Sequence, residues 1–253
     1  MIIDISHHQN PQNMDYDKLS KQIDFVIIRT QYGSNLIDRH YQTHHREFEK
    51  RGVPRASYAW VRGVSIDDMK VEAIDYYKRT RDFEPSFYFL DIEERSMDDM
   101  RRGVSAYVDK LRELGAKRIG IYIAHHLYEN FNLDFDKVDA IWIPHYGKND
   151  GRLNSKPKFP CDIHQYTSVG RLNGYSGNLD FNRIISDKPL SYFTGLLGED
   201  DISHIPSEWS KEAWEWAVAA NLLDGTRPKD SISREELALV LRRFNYHINN
   251  NRK

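Results

Sequence analysis

One cysteine stands among the 253 residues, Cys161, which excludes an intramolecular disulfide. Its neighbours Pro160 and Asp162 bring no positive charge to lower the thiol pKa, so it reads as a small buried hydrophobe and not a nucleophile. An excess of one charge sign is also missing: 36 Lys and Arg face 38 Asp and Glu, a formal net charge of -2. Without a broad positive field nothing holds a polyphosphate, which argues against a nucleic-acid partner. No stretch approaches the roughly 20 apolar residues that span a bilayer, so membrane insertion is not expected. The opening MIIDISHHQN has neither a basic start nor an apolar run of signal-peptide length, and the expectation is a product made and held in a cytoplasm. What is abundant is ordinary for a globular protein: 40% apolar, 12% aromatic and 29% charged residues. At about 150 residues per domain the length predicts one to two domains.

Short apolar runs of strand character recur at residues 2–5, 25–30, 56–60, 87–92, 118–123, 140–144 and 162–166. Between the first six lie stretches of helical composition, such as 67–79, opened by Asp67 and Asp68, and 97–114, stopped by Gly115. Strand and helix in alternation predict an α/β fold with a parallel sheet or barrel. After Cys161, Gly170, Gly174 and Gly177 punctuate two or three short hairpin-like strands, so the barrel is expected to close irregularly.

Residues 188–205 read as a linker, interrupted by Pro189, Gly195 and Gly198, between a barrel domain at 1–187 and a helical domain at 206–253. In the latter, Trp209, Ala213, Trp216, Ala217 and Ala220 recur at offsets of 4, 7, 8 and 11, one face of a helix. Ser233 followed by Glu236 is a capping box opening a second helix with Leu237, Val240, Leu241 and Phe244 as its apolar face.

Three strand-like runs end in acid, at Asp4, at Asp91 with Glu93, and at Asp180. In a parallel barrel the C-terminal strand ends share one rim, where active sites are assembled. Residues two apart on a strand share a face, so Phe87, Phe89, Asp91 and Glu93 point one way and Tyr88, Leu90 and Ile92 the other. A rise of about 6.6 Å places the two carboxylates roughly 5 to 8 Å apart, a span covering both retaining and inverting glycosidase separations. Like charges beside aromatics raise one pKa, and Glu93, with its longer reach, is the candidate protonated acid.

The segments DISHHQ (4–9), YFLDIE (88–93) and HQYTSVGRLNGYSGNLDFN (164–182) resemble the motifs of glycoside hydrolase family 25, N-acetylmuramidases of the Chalaropsis type that are common among phage endolysins. The resemblance implies an incomplete barrel of five βα units plus three further strands, and cleavage of the β-1,4 bond between N-acetylmuramic acid and N-acetylglucosamine in bacterial peptidoglycan without a cofactor. It implies Glu93 as general acid, Asp91 as partner carboxylate, and Asp4 and Asp180 completing the cluster, with Tyr58, Tyr122, Tyr146 and Gln165 lining the sugar groove. Attack by the substrate's own acetamido group and a more direct carboxylate role both stay open. Where relatives carry Tyr-His-Phe this chain has Tyr58, Ala59 and Trp60, and near Tyr146 it has Pro144 and His145 where alanine and arginine are common. With no leader read, the family habit implies an endolysin that waits in the host cytoplasm until a holin opens the membrane.

The helices after residue 205 resemble a single S-layer-homology-type unit, which implies a secondary cell-wall polymer as a further partner; the bland alternative is a helical hairpin that stabilises or dimerises the chain. Arg242, Arg243, Arg252 and Lys253 read first as a solvated helix end. Tyr76, Tyr77, Trp214 and Trp216 read first as packing residues. His40 and His44 have the i, i+4 spacing of many zinc sites, but no HExxH occurs and no metal is expected. Two rival functions remain. A metal-dependent polysaccharide deacetylase places its acids before HxxxH, the reverse of the order here, and a non-catalytic wall-binding protein would release no reducing ends.

Overall fold

The computed structural model describes residues 1–196, 206, 210–225 and 232–250. Gly198, Trp209, Arg252, Lys253 and half of the expected linker lie outside the described residues. The chain divides into two compact units, Met1–Gly195 and Leu196–Lys253.

Among the described residues of the first unit, nine strands form one sheet: β1 (Ile2–Ile5), β2 (Phe25–Tyr32), β3 (Leu36–Ile37), β4 (Arg55–Trp60), β5 (Tyr88–Ile92), β6 (Ile119–Ile123), β7 (Ala140–Pro144), β8 (Ile163–Leu172) and β9 (Tyr175–Ile184). Their order is β1-β9-β8-β7-β6-β5-β4-β2-β3, and β1 also pairs with β2. Eight strands therefore close into a barrel, with β3 an antiparallel addition to β2. The pairs from β1 round to β8 are parallel, whereas β9 runs antiparallel to both β8 and β1. Helices α1 (Tyr16–Leu19), α2 (Tyr41–Glu49), α3 (Ile66–Thr80), α4 (Met100–Leu114) and α5 (Tyr128–Phe131) supply five crossovers, and β7, β8 and β9 are the three further strands. The glycine-punctuated segment is one hairpin of two ten-residue strands, turned at Gly174 with φ +104.

The helix ends follow from side-chain chemistry. Ser65 Oγ accepts from Asp68 N at 3.2 Å while Asp68 Oδ2 accepts from Val64 N at 2.9 Å, a reciprocal cap that starts α3 one residue before the acidic pair. Asp99 caps α4 through Arg102 N at 3.0 Å, so this helix begins three residues later than its composition suggests. It ends at Gly115 in the left-handed conformation.

Period-two alternation sorts each strand between two cores. Inside the barrel pack Ile2, Phe25, Ile27, Ala56, Phe87, Phe89, Ala140, Trp142 and Ile163. Outside, Tyr88, Leu90, Ile92, Ile119 and Ile121 meet α3 and α4, and Ile3, Ile5, Val26 and Ile28 meet Tyr16, Leu19, Tyr41 and Phe48 of α1 and α2. Cys161 is half-buried against the first of these outer clusters, and burial beside Asp162 pushes its thiol up to about 12, in keeping with an inert packing role.

Gly120 faces inward beside Phe89 in register, and a Cβ there would intrude on the fully buried Phe89 ring. Gly120→Ala should therefore lower stability by about 1–3 kcal/mol, read as a fall in urea midpoint with an unchanged slope. An unchanged midpoint would show that the interior has slack at this layer.

Residues 190–194, expected within the linker, instead form a short helix, α6 (Leu190–Thr194), of the barrel unit. Phe193 is fully buried and stacks on Phe87 at 5.7 Å, closing the barrel interior at the N-terminal end of β5. Burial of one aromatic overrides the local turn composition.

In the second unit the helix Lys211–Ala219 buries Ala217, but Trp216 is exposed and Trp214 half-buried, so Trp216 is not the core residue expected. The capping box at the head of the helix Arg234–Asn250 is present: Ser233 N donates to Glu236 Oε2 at 2.8 Å and Glu236 N to Ser233 Oγ at 3.1 Å. Of its expected apolar face, Val240 is half-buried while Leu237, Leu241 and Phe244 are exposed, because the nine-residue helix Lys211–Ala219 offers little surface to cover a helix of 17 residues.

Candidate active site

Inward positions turn polar where the parallel strands reach their C-terminal ends. Asp4 on β1, Arg29 on β2, Tyr58 and Trp60 on β4, Asp91 on β5, Tyr122 on β6, Trp142 on β7, Gln165 on β8 and Asp180 on β9 line one open cavity of about 170 Å³. Glu93 lies just past β5 and Tyr146 just past β7, and both line it too. All eight residues singled out in the sequence thus surround the same space. Asp180 arrives by a different route from the one expected. It is not at a C-terminal strand end: β9 is antiparallel, and Asp180 stands opposite Asp4 in the β1–β9 ladder.

Asp4 is held by two amides. Gln165 Nε2 and Asn182 Nδ2 each donate to Asp4 Oδ1 at 2.8 Å. Gln165 Oε1 accepts from the hydroxyls of Tyr122 (2.9 Å) and Tyr146 (2.6 Å), and Asn182 Oδ1 accepts from Trp142 Nε1 at 2.8 Å. Aromatic donors thereby fix both amides with their amino groups toward Asp4. Asp91 is nearly fully buried, and its Oδ1 has no hydrogen-bond partner among the described residues. Glu93 and Asp180 are half-buried. Arg29, itself buried, donates to Asp38 Oδ2 at 3.1 Å and to His7 Nδ1.

Burial raises the pKa of all four carboxyls. Asp4 is pushed up to about 6 in spite of its two amide donors. Asp180 is pushed up to about 8 by burial and by the charges of Asp4 and Glu93. Asp91 stands well above the usual carboxylate range through burial and the nearby Glu93 and Asp4, opposed by Arg29. Glu93 is raised by burial and then by Asp4. Like charges this close oppose one another, so each carboxyl holds its proton to a higher pH than it would in water.

This coupling has a measurable cost. Because the folded-state pKa of Asp180 lies above its unfolded value, its contribution to stability is full below about pH 4 and is lost as pH rises through about 8. Asp180→Asn is neutral at every pH. It should raise the barrel's Tm by about 4–10 °C near pH 9 and leave it unchanged near pH 4, in paired thermal melts. Equal shifts at both pH values would refute a charge origin.

Several residues that line or support the site escaped the sequence reading. Arg29 interrupts the apolar run FVIIRT at the same parity as Phe25 and Ile27, and that parity was the available signal. Asn182 shares its face with Asp180 by the same rule. Trp142 belongs to the barrel core, yet its indole N–H serves the site. His40 and His44 do not line the cavity; His44 is fully buried with Nδ1 2.7 Å from the Tyr16 hydroxyl.

The family profile described as Glycosyl hydrolases family 25 matches residues 3–175. The chain belongs to that family. Among solved structures, the family 25 barrel is similar to GHIP of Streptococcus pneumoniae, a glycosyl hydrolase 25 described as a virulence factor participating in host cell invasion, with 39% identity, TM-score 0.74, and 78% of this chain and 91% of that one covered. It is also similar to the catalytic domain of the endolysin ply40 from bacteriophage P40 of Listeria monocytogenes, with 27% identity, TM-score 0.71, and coverage of 77% and 96%. The CTP1L endolysin shares the fold at 17% identity, TM-score 0.67, over 98% of each chain. No curated protein matches the chain. As a family 25 member the protein is a glycosidase.

Proposed function

We propose that this glycosidase is an N-acetylmuramidase that cleaves the β-1,4 bond between N-acetylmuramic acid and N-acetylglucosamine. Peptidoglycan is its polymer. The observation that carries the reading is the convergence, on one cavity of a family 25 barrel, of Asp91 and Glu93 from one strand end with Asp4 and Asp180 from the facing ladder. Glu93, whose pKa is raised by burial and by Asp4, gives its proton to the glycosidic oxygen as the C1–O bond breaks. The acetamido oxygen of the same sugar closes on C1. Asp91 accepts the acetamido N–H at its unpartnered Oδ1, a hydrogen bond that strengthens as positive charge develops on that group. Water then opens the intermediate, with the Glu93 carboxylate as base. Asp4 and Asp180 hold the pair in place, and Gln165 and Asn182 hold Asp4.

The similarity to the ply40 catalytic domain supports an endolysin of a phage or prophage, released to the wall through a holin. No helix among the described residues is long and apolar enough to cross a membrane. In the second unit, Leu239, Arg242, Arg243, Tyr246 and His247 line an open cavity of about 500 Å³, which suits an anionic secondary wall polymer.

Purified Gram-positive sacculi in EDTA test the reaction class. The account expects soluble reducing ends. Acetate release abolished by EDTA would instead mean a deacetylase, and retention on sacculi without release would mean a binding module.

A further inference from the structure

Beside the catalytic cavity lies a larger one of about 550 Å³, which shares His8, Arg29 and Trp60 with it and adds Tyr32, Leu36, Ile37 and Arg39. Its outer wall is the β2–β3 hairpin, where Tyr32 pairs with Leu36 and Gln31 with Ile37. Leu36 and Ile37 are 53% and 50% exposed, yet the hairpin that carries them is fixed. Gly33 N donates to Trp60 O at 2.9 Å, and Arg79 Nη2 donates to Ser34 O at 3.0 Å. Two apolar side chains held open on a rigid edge have no core to serve and mark a ligand surface. Tyr32 and Trp60, with ring centroids 5.0 Å apart, continue that surface to the catalytic cavity.

The charge of this cavity is one-sided. Asp38 is fully buried, and its carboxylate is taken up by Arg29 Nε at 3.1 Å and by the backbone N–H groups of His7 (2.7 Å) and His40 (2.9 Å). Arg39 is exposed, donates to His40 Nε2 at 3.1 Å, and forms no ion pair with a carboxylate among the described residues. An apolar wall with an unmatched cation fits a short peptide bearing free carboxylates.

Peptidoglycan supplies such a peptide at the required place. Its muramyl residue carries a lactyl-linked stem at C3 of the ring whose C1 is cleaved, so a stem must leave the catalytic cavity on one side. We propose that this second cavity binds the stem peptide of the cleaved muramyl residue, with Leu36 and Ile37 against its alkyl groups and Arg39 facing its carboxylates, so that the enzyme selects peptide-bearing glycan. The inference rests on the muramidase reading, which fixes the sugar whose substituent enters the cavity.

The test compares kcat/KM on stem-bearing glycan with that on the same glycan stripped of stems by an amidase, for wild type, Ile37→Ser and Arg39→Ala in the full chain. Wild type should prefer the stem-bearing polymer, and each variant should lower that preference about tenfold, the scale on which a pocket contact discriminates. Comparing ratios between variants cancels differences in polymer access. For Arg39→Ala the loss should disappear when the stem carboxylates are amidated. Equal ratios in all three proteins, with both polymers cleaved, would overturn the stem site alone and leave the muramidase reading standing. Cleavage of neither polymer by wild type would overturn both.

Discussion

Glu93→Gln should reduce kcat on sacculi by about 10²–10⁴-fold with little change in KM, because an amide of the same shape fills the same space but has no proton to give. The barrel should be at least as stable as wild type. Replacing a half-buried acid of raised pKa by a neutral amide removes the repulsion of Asp4 and the cost of burial that lift its pKa. A fall in activity without a fall in Tm separates a chemical role from a structural one. A leaving group that needs little protonation gives a second check. On an aryl glycoside of the same sugar the loss should shrink by at least an order of magnitude, since aglycone departure no longer depends on the acid. Activity on sacculi above about a tenth of wild type would remove Glu93 from the acid role, since general acid catalysis is worth at least about a hundredfold.

Asp91→Asn is the other large effect, with kcat falling by about 10²–10³-fold, the range expected when one group aimed at a developing charge is lost. Asp91 differs from Asp4 in its surroundings: Asp4 receives two amide hydrogen bonds, whereas Asp91 Oδ1 has no partner among the described residues. A buried acceptor left open is costly for the free enzyme and valuable only when substrate donates to it. Asp91→Asn should accordingly raise Tm at alkaline pH while it lowers turnover, because its pKa, like that of Asp180, is raised in the folded state. The pH profile of the wild type carries the same signature. Activity should fall on the alkaline side as the coupled carboxyls lose the proton that Glu93 must donate. A variant that lost activity and stability together at every pH would assign Asp91 to packing.

The sequence made the βα alternation and the face of FYFLDIE legible, because period two is a local property that one strand carries by itself. Phe87, Phe89 and Asp91 do share the interior, and Tyr88, Leu90 and Ile92 the outer face. Strand direction is not local in that way. Asp180 was expected at a C-terminal strand end, whereas its place depends on the Asn173–Gly174 turn reversing the chain and on register with Asp4 across a separation of 176 residues. Tyr58, Tyr122, Tyr146 and Gln165 were reached through family resemblance, since nothing in their spacing reveals that two tyrosine hydroxyls fix one glutamine amide. Phe193 illustrates the limit at the other end of the barrel: a five-residue helix between Pro189 and Gly195 is too short to show periodicity, so its buried aromatic read as linker. The capping box of Ser233 and Glu236 was legible because its whole chemistry lies within four residues.

The measurement that tests the central claim most directly is mass spectrometry of borohydride-reduced products from purified sacculi digested in EDTA by the wild-type protein and by Glu93→Gln. The account predicts muramitol at the new ends from wild type and almost none from the variant. Glucosaminitol ends from wild type would move the cleaved bond to the other side of the muramyl residue, and equal muramitol yields from both proteins would contradict Glu93 as the acid.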